Sequence, residues 1–370
     1  MKIGIYGGTF DPIHRGHITA AQAAAQQLGL DLLLLIPASI PPHKALPEGG
    51  ADAAQRLEMA TLATAELSCP AQVLDVEVRR QGKSYTADTL RTLRRQYPED
   101  ELWLLMGTDM FLSLQDWREP QEILRLARVA AFSRTGDPEQ QRFARQKAYL
   151  EETFGAQVTV VENPHVVDIS STRLRQLLPE GREYLPEAVY GYILRQRLYG
   201  THAELKHLTP EELRPIALSF LKPKRMPHVL GTEQEAIRLA RRYGADETDA
   251  RIAALLHDCT KKLDMEQQLA LCRRYDIRLD ELEQHALKLL HAKTGAAVAH
   301  DIFGVKDAVY EAIRWHTTGK PQKSEYKIVD FAEIFRVQIA AVTDLLEEKK
   351  MCLEADIPDR LYCEVEQAQM

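Results

Sequence analysis

The sequence predicts an α/β doubly wound parallel sheet over roughly the first half of the chain, followed by an all-α region. Three observations predict it. Short apolar runs alternate with helix-patterned stretches from residue 1 to about 178, as in a parallel sheet wrapped by helices. The first run, Lys2-Ile3-Gly4-Ile5-Tyr6, passes through Gly7 to His17, which reads G-G-T-F-D-P-I-H-R-G-H, into an Ala- and Gln-rich helical stretch, Ile18 to Leu28. From about residue 208 onward the pattern is helical, with no comparable strand run.

In the first half, Leu32 to Ile36 reads as a second buried parallel strand. It opens into Pro37-Ala38-Ser39-Ile40-Pro41-Pro42-His43-Lys44, a loop placed where a strand's carboxyl end meets a ligand crevice. Residues 52 to 67 read as a helix. Val73 to Val78 alternates apolar and acidic residues, as a half-exposed strand does. Gly82 to Leu90 begins another helix, with Ser84 or Thr86 as its N-cap. Leu102 to Met106, Val129 to Phe132 and Val158 to Val161 are further strands. They exit through Gly107-Thr108-Asp109, Ser133-Arg134-Thr135-Gly136, and a loop that ends in Asp168-Ile169-Ser170-Ser171-Thr172-Arg173-Leu174-Arg175. The loops at Gly7, Pro41, Gly107, Ser133 and Ser170 should then share one sheet edge.

Two segments on that edge carry chemistry. Gly7 and Gly8 let backbone approach a phosphate closely, and Thr9 adds a hydroxyl. His14 and His17, spaced i, i+3, share a face if the helix starts near Ile13. Imidazoles beside a helix N-terminus suit a triphosphate and the charge that develops on it. Ser170, Ser171 and Thr172 give three hydroxyls at another helix start, with Arg175 one turn further in. Neither segment is a Walker loop or a Gly-x-Gly-x-x-Gly turn.

The chain has 370 residues, long for one core, so two domains are expected: 1–200 and 208–370, joined near Gly200 to His207. A net charge of −7 argues against a nucleic-acid binder. The start runs straight into a strand, unlike a secretory leader. No apolar run approaches the roughly 20 residues of a membrane span. Five cysteines without C-x-x-C spacing fit a reducing, cytoplasmic setting.

The second half begins at Leu208-Thr209-Pro210-Glu211-Glu212, a capping-box-like start with Pro at the first helical position. It holds His228 just ahead of a helix that runs to Arg242, the adjacent pair His257-Asp258 after an apolar helix, His291 and His316. Imidazole with carboxylate suits a divalent metal such as Fe, Mn, Co or Mg.

The first half resembles the nicotinate-nucleotide adenylyltransferase branch of the nucleotidyltransferases. The likeness rests on G-G-T-F-D-P-I-H-R-G-H, P-P-H-K, S-Y-T-x-D-T-L, G-T-D-M-F, D-W, F-S-R and I-S-S-T-R-L-R. It implies that His14, His17, Lys44 and Arg175 serve catalysis on Mg²⁺-ATP. Gly7, Gly8, Thr9, Phe10, Asp109, Ser170, Ser171 and Thr172 would bind ATP. Ser84, Tyr85 and Thr86 would bind nicotinate mononucleotide, with Trp117 on its ring and Arg134 on its phosphate. Pantetheine phosphate or the amide mononucleotide remains open as the acceptor.

The second half resembles HD-domain phosphohydrolases, and more narrowly those that split diadenosine tetraphosphate symmetrically. The likeness rests on L-L-H-D-C-T-K, L-L-H-A-K-T-G-A and A-I-R-W-H-T-T-G. It implies that His228, His257 and Asp258 hold the metal, while Lys261, His291, His316 and Thr317 face the polyphosphate. The last ligand departs from the family's pattern: Glu333 aligns where Asp is expected, Asp330 lies one turn earlier, and residues 355–360 offer a third candidate. A non-catalytic sensor or oligomerisation role for this half stays open, as does homo-oligomer formation.

Overall fold

Six apolar runs pair into one parallel sheet with strand order β3-β2-β1-β4-β5-β6. The strands are β1 (Lys2–Gly8), β2 (Leu32–Pro37), β3 (Ala71–Val73), β4 (Glu101–Met106), β5 (Arg128–Ser133) and β6 (Val158–Glu162). This is a computed structural model. It describes residues 1–41, 47–80, 82–133, 137–163, 166–281 and 283–318; Lys44, Arg134, Asp330 and Glu333 lie outside them.

The central strands are Leu-rich because both sheet faces are covered: Leu33 to Ile36 are fully buried, as helices on either side require. Order reverses between β1, paired to β2 through Gly8↔Pro37, and β4, paired to β1 through Tyr6↔Leu105. That reversal opens a crevice at the strands' carboxyl ends.

The covering helices are α1 (Arg15–Leu28), α2 (Ala53–Ala63), α3 (Thr86–Gln96), α4 (Thr108–Leu112), α5 (Pro120–Leu126), α6 (Asp137–Phe154), α7 (Ser171–Leu177) and α8 (Glu187–Gln196). Then come α9 (Pro210–Leu218), α10 (Met226–Tyr243), α11 (Glu247–Leu256), α12 (Met265–Arg274), α13 (Leu287–Phe303) and α14 (Asp307–Trp315), with no strand among the described residues after β6.

Three expectations change. The strand expected at Val73 to Val78 is confined to Ala71–Val73. Its acidic alternation belongs to a turn in which Arg79 N–H bonds the Asp75 carbonyl and Glu77 accepts the Thr89 hydroxyl at 2.7 Å. Neither Ser84 nor Thr86 caps α3; Tyr85 does, with an extended backbone. The Ser84 hydroxyl is instead engaged by the Ser39 N–H at 3.0 Å. His228 sits in the first turn of α10 rather than ahead of it.

Elsewhere local rules hold. Thr209 caps α9 in a capping box with Glu212, and Pro210 is the first helical residue. Residues 1–317 form one compact unit, and its apolar cluster runs continuously from α1 through α8 and α9 to α11. Gly191 lets α8 cross α9: a Cβ there would stand 1.8 Å from the Pro215 carbonyl oxygen. Among the described residues no helix is long and apolar enough to cross a membrane, and Cys69, Cys259 and Cys272 are free thiols.

Candidate active sites

At the switch point lies a cavity of about 400 Å³. Its wall includes Gly7, Gly8, Thr9, Phe10 and His17 from the β1–α1 connection and Ser171 and Arg175 from α7. Ser84, Tyr85 and Thr86 at the start of α3, with Trp117 before α5, complete it. Segments more than 150 residues apart thus meet around one space. Gly8 leaves room for the Phe10 ring: a Cβ would sit 2.8 Å from it, so the ring would have to shift.

The α1 terminus is held by its own histidines. His14 is the cap residue, and its N–H donates to His17 Nδ1 at 3.2 Å. The two rings lie 3.8 Å apart by centroid, and His17 also meets Phe10 at 5.2 Å and Tyr6 at 6.1 Å. Burial in this aromatic nest lowers His14 to about 4. Burial, then the neighbouring His14, lowers His17 well below its usual range. Both imidazoles are therefore neutral near pH 7 before any anion binds, and among the described residues Arg175 and Arg118 bring positive charge to this wall.

Arg175 donates to the Asp11 carbonyl and lies 3.6 Å from Asp11 Oδ2. Ser171 Oγ donates to the Pro12 carbonyl at 3.0 Å, and Ser170 Oγ caps α7 at Arg173 N. Thr172 Oγ1 accepts from Arg175 at 3.4 Å. His14, Asp109, Ser170 and Thr172 are not on the cavity wall; Asp109 is exposed in the first turn of α4.

Several residues of this region escaped the sequence reading. Arg56 is fully buried and donates to the carbonyls of Thr9, Ala38, Ser39 and Ala51, joining α2 to the loops after β1 and β2. Asp11 was in the quoted motif but had no role. Arg118 stands over the Tyr85 ring at 4.5 Å. Tyr199 Oη donates to Asp11 Oδ1 at 2.6 Å, and nothing local in the sequence marks it or Arg56.

The second cluster lies where α10, α11, α13 and α14 converge. His228, His257 and Asp258 place one ligand atom each within 4.8 Å of one another, and Asp258, His291 and His316 do the same. Three rings are oriented alike. His257 Nδ1 faces the Ala254 carbonyl at 2.6 Å, His291 Nδ1 that of Lys288 at 2.7 Å, and His316 Nδ1 that of Ile313 at 2.7 Å. Each Nδ1 then carries the proton and each Nε2 presents a lone pair.

Those Nε2 atoms crowd together: His228 to His257 at 3.3 Å, His291 to His316 at 3.1 Å, and His291 to Asp258 Oδ1 at 3.3 Å. Buried Asp258 Oδ1 has no hydrogen-bond partner. Lone pairs facing lone pairs and a carboxylate are repulsive without a cation between them, so the donor set fits a divalent metal. Arg225 donates to the other oxygen, Oδ2, and Lys261 Nζ lies 3.0 Å from His291 Nε2. Burial would raise the Asp258 carboxyl, but the Arg225 guanidinium on Oδ2 helps hold it well below the usual carboxylate range. Burial lowers His257 to about 4 against the pull of Asp258. Thr317 is exposed beside His316.

A Rossmann-like parallel sheet with a nucleotide-sized crevice at its switch point, followed by a helical His/Asp centre, defines a two-part class of protein. A cytidylyltransferase-like family model matches residues 5–177 and an HD domain model residues 225–358. The chain is 43% identical over 209 residues to a probable nicotinate-nucleotide adenylyltransferase of Gloeobacter violaceus, covering 55% of this chain and 98% of that protein. It is 40% identical over 215 residues to one from Shewanella sp. (strain MR-7), covering 54% and 99%. It is also similar to the crystal structure of a predicted HD superfamily hydrolase involved in NAD metabolism from Clostridium acetobutylicum, at 26% identity over 40% of this chain and 92% of that one, TM-score 0.31. The chain belongs, through its first half, to the nicotinate-nucleotide adenylyltransferase family, and it carries an HD domain behind that half.

Proposed function

We propose that the chain is a bifunctional enzyme. Residues 1–200 transfer AMP from ATP to nicotinate mononucleotide, giving the deamido-dinucleotide and pyrophosphate. Residues 208–370 are a metal-dependent phosphohydrolase that splits diadenosine tetraphosphate into two ADP.

The transferase reading is carried by one observation: Gly8, His17, Ser171 and Arg175 line the same cavity as Ser84, Tyr85, Thr86 and Trp117. A phosphate oxygen of the mononucleotide attacks the α-phosphorus of ATP as the bond to the β-phosphate oxygen breaks. The attacking phosphate is already ionised, so no general base is needed. Alignment and charge neutralisation suffice. Backbone at Gly7 to Thr9, His17, Ser171 and Arg175 would hold the triphosphate with Mg²⁺. Ser84 to Thr86 and Trp117 would hold the mononucleotide, and Lys44 and Arg134 would join them. The names of the 38–43% identical relatives support this choice of acceptor.

The hydrolase reading draws on the HD match and the donor set. His228, His257 and Asp258 would hold the metal, with Asp330 or Glu333 adding a carboxylate. The bound ion would act as a Lewis acid on a phosphoryl oxygen. Lys261, His291, His316 and Thr317 would face the polyphosphate, and Arg225 would share its charge.

Purified full-length chain tests both. Incubation with Mg²⁺-ATP should give dinucleotide and pyrophosphate in equal amounts with nicotinate mononucleotide, and much less with the amide mononucleotide or pantetheine phosphate. Diadenosine tetraphosphate with Fe, Mn or Co should give ADP alone. Absence of either product removes the corresponding half of the reading.

A further inference from the structure

The cavity wall is held from beneath by a residue outside the stretch matched to the transferase family model. Asp11, buried and on the wall, accepts two hydrogen bonds at Oδ1: from Tyr199 Oη at 2.6 Å and from the Ala51 N–H at 3.0 Å. Its other oxygen, Oδ2, has no hydrogen-bond partner and stands 3.6 Å from Arg175 Nη1. Asp11 thus anchors Arg175 at two points, carbonyl and carboxylate, and Thr172 Oγ1 accepts a longer third bond at 3.4 Å.

Tyr199 reaches Asp11 at a conformational cost. Arg197 (φ 52, ψ 39) and Tyr199 (φ 54, ψ 32) both occupy the left-handed region, which L residues with a Cβ disfavour. Gly200 follows at φ 73. This turn brings the chain back after α8 and puts the phenol under the β1–α1 loop. Non-glycine residues persist in such conformations where the surroundings over-determine them, often at functional sites. Burial and the adjacent Asp11 push the phenol's pKa far up, so it stays a donor.

We infer that Tyr199 is a positioning residue of the first site: it fixes the Asp11 carboxylate, which in turn holds the Arg175 guanidinium where the ATP polyphosphate docks. A freely turning Asp11 carboxylate would either pull Arg175 off the wall or present its own charge to the triphosphate. The inference rests on the transferase reading above.

The test is Tyr199→Phe in the full chain, which removes one oxygen and keeps the ring. The KM for ATP should rise about tenfold, the size expected for loss of one hydrogen bond to a charged group. The KM for nicotinate mononucleotide should not change. In an Arg175→Ala background the same substitution should add nothing further, since its effect runs through that guanidinium. An unchanged KM for ATP overturns the inference, as does an undiminished effect in the Arg175→Ala background. An equal rise in both KM values also overturns it, because it marks a purely structural role. If the unmodified chain makes no dinucleotide, the transferase reading has failed. Calorimetric titration of ATP into both proteins then decides the inference separately, and equal dissociation constants overturn it.

Discussion

The backbone N–H of His14 donates to His17 Nδ1 at 3.2 Å. A neutral imidazole with an acceptor at Nδ1 carries its proton at Nε2, so the bond fixes both the orientation of His17 and its donor atom. The cavity therefore receives a hydrogen-bond donor, and a cation forms only if a polyphosphate draws a second proton onto the ring. His17→Ala should lower kcat for dinucleotide formation by about 10²- to 10³-fold, as removal of one preorganised donor does. The KM for the mononucleotide should stay the same. His17→Gln, which retains an N–H donor, should recover part of the loss. Pyrophosphate release measures this, and activity within a few-fold of the parent for His17→Ala would remove His17 from the mechanism.

Burial of neutral imidazoles sets the protein's response to acid. His14 and His257 are lowered to about 4, and His17 lies well below its usual value. Between the ordinary histidine range near 6.5 and those depressed values, the unfolded chain binds protons that the folded chain refuses. Stability is therefore full above the ordinary range and is lost as pH falls toward 4. At pH 5 the loss is on the order of 2 kcal/mol for each such histidine. Urea midpoints of metal-free protein should drop between pH 7 and pH 5, and His14→Gln should flatten that drop. Equal slopes for the two proteins would show that His14 is not a buried neutral group.

The parts of this molecule that could be read from sequence are those with local causes. Leu32 to Ile36 announces a strand buried on both faces, and Thr209-Pro210-Glu211-Glu212 announces its own helix start. The H…HD…H…H spacing announces a cluster because His228 and His291 lie within α10 and α13, while His257 and His316 end α11 and α14. The misread pieces have non-local causes. Val73 to Val78 looks like a strand because Glu77 alternates with valines, yet that carboxyl turns inward to the hydroxyl of Thr89, 12 residues on. Arg56 looks like a surface arginine of a helix, but it is buried against four carbonyls from the two loops that follow β1 and β2. Tyr199 meets Asp11 across 188 residues, and no spacing rule spans that distance.

Asp258 is common to both candidate ligand groups in the helical half. Asp258→Asn should therefore abolish metal binding at either, whereas His316→Ala should spare the group formed by His228, His257 and Asp258. Titration with Co²⁺, followed by its visible absorption, reads this without any turnover assay. The parent should develop a strong band, His316→Ala a weaker one and Asp258→Asn none. Arg225→Ala should strengthen Co²⁺ binding, because the guanidinium competes for Asp258 Oδ2. An unaltered band in Asp258→Asn would place the metal elsewhere.

Gly191 tests whether the two halves depend on one another for stability. The hypothetical Cβ at this position meets backbone: the Pro215 carbonyl oxygen at 1.8 Å, its carbon at 2.1 Å and the Ile216 nitrogen at 2.6 Å. Backbone in the middle of α9 cannot move aside as a flexible side chain can. Gly191→Ala must part α8 from α9 or bend one of them, at a cost of about 3 kcal/mol. The apolar cluster is continuous across this crossing, with Val189 and Ile193 on one side and Leu213 and Ile216 on the other. Opening it should weaken both halves together. Denaturation followed at once by far-ultraviolet dichroism and tryptophan fluorescence should show one transition in both proteins, earlier in Gly191→Ala. If the parent instead unfolds in two separate steps and the substitution moves only one, α8 and α9 are merely neighbours, and the shared cluster does not bind the halves into one cooperative unit.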